Sequence, residues 1–144
     1  MRALLDTNVF LRHSLTADAR QPAITAALDA LLADGTELCI CSQNIVEYWA
    51  LSTRPVNANG LGKSPAQVRR EIDSITPGFS LIPDPAELLA IWLNLCTTFE
   101  VRGRQAYDAR LVALMSATAV TTLVTLNPAD FSRFATIKLV IPAC

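Results

Sequence analysis

The sequence predicts an α/β domain with a central parallel, doubly wound sheet of about five strands flanked by helices. Short apolar segments of strand length alternate with longer segments of helical periodicity along the whole chain. Hydrophobic residues make up 51% and charged residues 17%, a balance typical of a folded core and not of disorder. The 144 residues fit a single domain, residues 1–144, with no recognisable linker or repeat.

The first half of the chain predicts two strands and three helices. The apolar run Arg2–Leu5 indicates a buried strand, and residues 8–13 begin a short helix. In QPAITAALDALLADG, an early proline and a final glycine mark the ends of a second helix. Its apolar stripe consists of Ile24, Leu28, Leu31 and Leu32. TELCICS predicts the second strand, and Ser42 is a candidate N-cap for the helix QNIVEYWALST.

The second half continues the alternation after a turn-rich loop, RPVNANGLGKSP. Ser64 and Pro65 start a helix that runs to about Ile75, and FSLI predicts the third strand. An apolar helix is expected over residues 85–99 and another over residues 106–119, separated by the basic turn VRGRQ. TTLVTL and IKLVI predict the fourth and fifth strands. Regular alternation of this kind favours a parallel sheet covered by helices.

Charge and cysteine content exclude several classes of protein. The net charge of −1 argues against nucleic-acid binding by bulk attraction, although local basic patches around an acidic pocket are compatible with it. The sequence has no CxxC pair and only one histidine, so we expect reduced thiols in a cytoplasmic protein rather than a zinc site. The cysteines are Cys39, Cys41, Cys96 and Cys144. No signal peptide or membrane span is expected.

Four acidic residues fall where open α/β sheets bind ligands, beyond the carboxyl ends of the strands. Asp6 directly follows the first strand, Glu47 lies early in the helix after the second, Asp108 begins the helix before the fourth, and Asp130 follows the fourth. Each residue taken alone has a simpler explanation. These are helix capping for Asp6, a salt bridge for Glu47, a favourable helix dipole for Asp108 and a turn for Asp130. Together, crowded carboxylates repel one another, and a hard divalent cation removes that conflict. The pattern therefore indicates a Mg²⁺ or Mn²⁺ site suited to phosphoryl chemistry.

The four segments that carry these carboxylates resemble the motifs of PIN-domain ribonucleases, in particular the VapC-type toxins of type II toxin–antitoxin pairs. LLDTNVF resembles the first motif, NIVEYWA the second, AYDARLVALMSA the third and LVTLNPADF the fourth. Each motif is weak alone, but the ordered set covers nearly the whole chain.

The resemblance implies a Rossmann-like PIN domain acting as a Mg²⁺- or Mn²⁺-dependent endoribonuclease. Metal-activated water would cleave RNA and leave 5′-phosphate and 3′-hydroxyl ends. The implied metal ligands and catalytic residues are Asp6, Glu47, Asp108 and Asp130. Asn8 and Thr125 would support them by hydrogen bonds. A homodimer and a cognate antitoxin that covers the site are also implied.

Two questions stay open at the level of sequence. The chain could instead be a PIN-like module that binds RNA or a partner protein with little or no nuclease activity, although all four acidic positions are filled. RNA binding needs positive charge near the site, and surface solubility is the simpler explanation for at least half of the candidates. The candidate RNA-binding residues are Arg12, Arg54, Lys63 and Arg104, with Arg102 and Arg110 nearby.

Overall fold

A five-stranded parallel sheet forms the centre of the protein, with strand order β3–β2–β1–β4–β5. The structure is a computed structural model that describes residues 1–143. The strands are β1 (Arg2–Leu5), β2 (Glu37–Cys41), β3 (Ser80–Ile82), β4 (Thr122–Val124) and β5 (Lys138–Val140). The helices are α1 (Thr7–His13), α2 (Gln21–Ala33), α3 (Ser42–Thr53), α4 (Pro65–Ile75), α5 (Leu88–Thr98) and α6 (Gln105–Thr118). The predicted fold class is therefore confirmed.

The two faces of the sheet are covered by different helices because side chains of a strand point alternately to opposite faces. Leu4 of β1 packs with residues of α5 and α6 in one apolar cluster. Ala3 and Leu5 pack with residues of α1, α2, α3 and α4 in the other. The same alternation places Cys39 and Cys41 together on the α5–α6 face as free buried thiols, as their spacing predicts. Cys144 lies outside the described residues.

Strand order creates the ligand-binding crevice. The chain moves outward from β1 to β2 and β3, then returns to the opposite side of β1 to form β4. Leu5, the last residue of β1, is paired with Val124, the last residue of β4. Residues that follow these two strands therefore meet at the switch point, where open α/β sheets bind ligands. Within residues 1–143, the structure contains no helix long and apolar enough to cross a membrane.

Three local predictions are wrong. Ser42 is the first residue of α3 and not its cap; its hydroxyl donates to Asp84, and Cys41 occupies the N-cap position. The helix expected from residue 85 begins at Leu88, because residues before it form a turn in which the Leu88 N–H donates to the Pro85 carbonyl. Leu32 is 53% exposed and does not belong to the buried stripe of α2, which centres on Ile24 and Leu28.

The turn-rich loop after α3 folds back onto the end of that helix. Backbone N–H groups of Leu61, Gly62 and Lys63 donate to carbonyls of the last turn of α3 and of its C-cap residue, at distances of 2.9–3.1 Å. Asn59 adopts a left-handed conformation at φ 63°, which asparagine tolerates better than most residues. Ser64 then caps α4 by accepting a hydrogen bond from the Gln67 N–H, as the sequence predicts.

Candidate active site

Asp6 lies at the junction of β1 and α1, held by hydrogen bonds to both carboxylate oxygens. Its Oδ1 accepts from the Thr7 N–H at 2.8 Å, so the residue also caps α1. Its Oδ2 accepts from the Thr125 hydroxyl at 2.9 Å. The side chain is buried, and burial raises the pKa of Asp6 to about 6, although the hydrogen bonds from Thr125 and Thr7 oppose the rise.

Asp108 lies in the first turn of α6 and is half-buried. Burial is the largest reason that the pKa of its carboxyl is raised to about 7. The negative charges of Asp6, Asp130 and Glu47 raise it further, whereas the Arg104 guanidinium lowers it. The four predicted carboxylates are therefore close enough for their charges to raise the pKa of Asp108, as their crowding in the sequence pattern predicts.

Glu47 is half-buried on α3, one helical turn after Gln43. The Gln43 amide donates to its Oε1 at 2.8 Å. Of the four acidic residues, Asp130 is the most open to solvent: it lies in a short 3₁₀ turn, Pro128–Phe131, in the segment that follows β4. Buried Phe131 anchors that turn in the α5–α6 core.

Thr125 and Asn8, the two residues predicted to support the carboxylates, differ in burial and in place. Thr125 is fully buried and contacts the site directly, since its hydroxyl donates to Asp6 and also accepts from the Asn127 N–H at 3.0 Å. Asn8 is half-buried in the first turn of α1, two residues after Asp6.

The residues present fit a hard divalent cation in their chemistry. Within residues 1–143, no three acidic, histidine or cysteine side chains are close enough to form a ready ligand cage. The donor set is nevertheless all carboxylate, and burial with mutual repulsion already raises two of the pKa values. An Mg²⁺ or Mn²⁺ ion prefers oxygen ligands, keeps several waters and needs only one or two carboxylates. Its charge would offset this repulsion.

The candidate RNA-binding residues differ in exposure and in whether a carboxylate already pairs with their charge. Arg12 donates to Asp18 at 2.6 Å, and Lys63 donates to Glu71 at 2.8 Å. Arg54 is half-buried at the C-terminal end of α3, beneath the turn-rich loop. Arg104 is exposed at the start of α6, near Asp108. Arg104 is thus the best placed of the four to contact a phosphate.

The family assignment agrees with this geometry. The PIN domain family model matches residues 3–137, which is most of the chain. The chain belongs to the PIN domain family. None of the curated protein sequences matches it.

Solved structures with the same fold include VapBC toxin–antitoxin proteins and a VapC toxin. The PIN domain is similar to VapBC2 from Rickettsia felis bound to a promoter DNA fragment, with a TM-score of 0.72, 22% identity and 98% of each chain covered. VapBC-1 from nontypeable Haemophilus influenzae gives a TM-score of 0.72 and 15% identity over 100% of both chains. VapC20 from Mycobacterium tuberculosis, a sarcin–ricin loop cleaving toxin, gives a TM-score of 0.61 and 16% identity, with 84% of this chain and 86% of the VapC20 chain covered.

Sequence reasoning missed two residues of this PIN domain, Gln43 and Asn44, which lie in the first turn of α3. Asn44 is fully buried; its amide donates to the Leu5 carbonyl and to the Thr7 hydroxyl, both at 3.0 Å. Its carbonyl oxygen accepts from the Cys41 N–H at 2.8 Å. Two consecutive amides in the first turn of an apolar helix, four and three residues before Glu47, were the available signal.

Proposed function

We propose that this PIN domain is a metal-dependent endoribonuclease that acts as a VapC-type toxin. The observation that supports the proposal best is the environment of Asp108, whose pKa is raised by burial and by three neighbouring carboxylates. Two of those neighbours, Asp6 and Asp130, follow the adjacent strands β1 and β4 at the switch point. The cost of crowding carboxylates favours a function in which a cation binds among them.

Asp6, Glu47 and Asp108 would hold the metal ion, with Asp130 at the open side. When bound, Mg²⁺ or Mn²⁺ supplies an activated water and stabilises charge on the phosphate and the leaving oxygen. Thr125 holds Asp6 in one orientation through its hydroxyl. Exposed Arg104 would orient the phosphate backbone, and cleavage would leave 5′-phosphate and 3′-hydroxyl ends. Such a protein works on RNA in the cytoplasm, in keeping with its free thiols.

A cleavage assay tests the activity. The purified protein should cut total RNA in Mn²⁺ or Mg²⁺ and stop in EDTA, and end mapping should find 5′-phosphates. Asp108→Asn should reduce cleavage by at least about 100-fold, whereas Asp34→Asn, at an exposed helix end, should not change it. Full activity of Asp108→Asn would refute the assignment. An inactive wild-type protein that still binds RNA would favour a binding module instead.

A cognate antitoxin is the partner we propose. Val46 and Trp49 lie three residues apart on α3, the helix that carries Glu47, and are 67% and 38% exposed, so together they offer apolar helix surface to a partner. A short open reading frame beside the gene is the candidate source. Its product, co-expressed with the toxin, should copurify with it and block RNA cleavage. Trp49→Ser should weaken that complex, and Leu32→Ser, at a more exposed apolar position on α2, should not.

We also propose a homodimer that uses the face formed by α5 and α6. Leu89 and Tyr107 are 64% and 62% exposed and line a largely apolar groove of about 580 Å³, and Leu93 of α5 is 51% exposed. Exposed apolar surface of this kind marks interaction sites on soluble proteins. In sedimentation experiments Leu93→Glu should shift the protein to a monomer. Leu32→Glu is the matched control, and a wild-type monomer would refute the dimer.

A further inference from the structure

The Gln43 side chain connects the two helices that carry Glu47 and Asp108. Its amide nitrogen donates to Glu47 Oε1 and to the Tyr107 carbonyl, both at 2.8 Å. Gln43 and Glu47 are four residues apart on α3, so their side chains lie on the same helix face. Tyr107 directly precedes Asp108 on α6. One buried amide therefore contacts one predicted metal ligand and the backbone beside another.

The orientation of this amide is determined by its partners. Its carbonyl oxygen accepts from Arg110 Nη1 at 3.0 Å, and an arginine can only donate. The Tyr107 carbonyl can only accept, so the nitrogen must face Tyr107 and Glu47. Arg110 is itself held by Asp84, which accepts from Arg110 Nη2 at 3.0 Å and from the Ser42 hydroxyl at 2.9 Å. The two amide hydrogens thus meet two acceptors, and Oε2 of Glu47 stays available for a ligand.

We infer that Gln43 is a positioning residue, which holds Glu47 and the start of α6 at the separation that metal binding needs. The inference rests on the proposed nuclease function and adds a residue outside the four acidic motif positions. Neighbouring Asn44 performs the corresponding task toward β1, because it donates to the Leu5 carbonyl next to Asp6. The first turn of α3 therefore joins the segments that carry Asp6, Glu47 and Asp108.

The test is Gln43→Met, which keeps the length of the side chain and removes the amide. Partners that orient metal ligands contribute about 10- to 100-fold to metal affinity, so calorimetry should find Mn²⁺ binding weaker by that factor. The Mn²⁺ concentration for half-maximal RNA cleavage should rise in parallel, while the maximal rate at saturating Mn²⁺ recovers. The control is Gln67→Met on α4, an exposed glutamine whose amide lies 3.4 Å from Glu71, and it should match wild type.

The outcomes separate this inference from the proposed function. Wild-type protein that binds Mn²⁺ with the same affinity as Gln43→Met would overturn the positioning role alone. Wild-type protein that neither binds Mn²⁺ nor cleaves RNA would overturn the function and the inference together. If Gln43→Met does not fold, Arg110→Met decides, because it keeps Gln43 and removes the guanidinium that fixes its carbonyl, together with the ion pair to Asp84. Unchanged Mn²⁺ affinity in a folded Arg110→Met would then refute the inference.

Discussion

Asp108→Asn should stabilise the metal-free protein at pH 8. Asp108 is half-buried and close enough to three other carboxylates to feel their charge, and together these raise its pKa from 3.8 to about 7. At pH 8 its carboxylate is ionised in both the folded and unfolded states. Only in the folded state does the ionised group pay the free-energy cost of burial and of repulsion by the other carboxylates. Asparagine is nearly isosteric and neutral, so the substitution removes that cost.

The size of the effect follows from the pKa. A rise in the pKa from 3.8 to about 7 corresponds to about 4 kcal/mol of free energy if water screens none of the charge. Because water reaches this side chain and screens its charge, we expect a gain of about 1–2 kcal/mol in the free energy of unfolding. For a protein of this size the gain corresponds to a rise of about 3–6 °C in Tm.

The pH dependence gives the sharper test. A carboxyl whose pKa is higher in the folded state destabilises the protein fully above that pKa, and the cost declines as pH falls toward the unfolded value. The advantage of Asp108→Asn in thermal unfolding with EDTA should therefore shrink between pH 7 and pH 4. Asp34→Asn, the exposed control, should change stability by less than about 0.5 kcal/mol at either pH.

Metal should reverse the order of stability. Mn²⁺ at a hundredfold excess over Kd adds about 2.7 kcal/mol to the wild-type protein, and Asp108→Asn should lose most of that gain. A variant that is less stable than wild type at pH 8 in EDTA would refute the reasoning. An equal advantage at pH 4 and pH 8 would refute it as well, because the gain would then not come from charge.

Three further predictions concern the same site. The Mn²⁺ concentration for half-maximal cleavage should rise as pH falls from 8 to 5.5, because protons compete for Asp6 and Asp108 with pKa values of about 6 and 7; a constant value would contradict this. Thr125→Val should lower stability in urea at pH 8 by about 1.5–3 kcal/mol, since Asp6 loses a buried hydrogen bond, whereas exposed Thr121→Val should have little effect. In a cleavage-deficient background, Arg104→Ala should weaken binding of single-stranded RNA and lower the slope of log K against log salt by about 0.7. Equal slopes before and after the substitution would argue against a phosphate contact at Arg104.

The fold and the acidic residues could be predicted from sequence because their signals are local. Apolar runs such as Arg2–Leu5 indicate strands without reference to distant residues, and regular alternation with helices is typical of parallel sheets. Once the sheet is parallel, any carboxylate that follows a strand lies at its carboxyl edge. This rule alone was enough to predict where Asp6 and Asp130 lie. The wrong start of α5 and the misassigned cap at Ser42 are errors at helix boundaries, where competing turns decide the geometry.

Only the tertiary structure decided how these residues are held and how their charges behave. Gln43 and Asn44 look like ordinary polar residues at the start of a helix, because the partners that link them to other elements lie 37 to 67 residues away in the chain. The raised pKa of Asp108 likewise depends on burial and on carboxylates from other elements. Sequence alone determined which residues we propose to carry the chemistry, since each was identified from local pattern and chain order. The hydrogen bonds and charge interactions among these residues could be identified only in the tertiary structure, because hydrogen bonding and desolvation depend on distance in space.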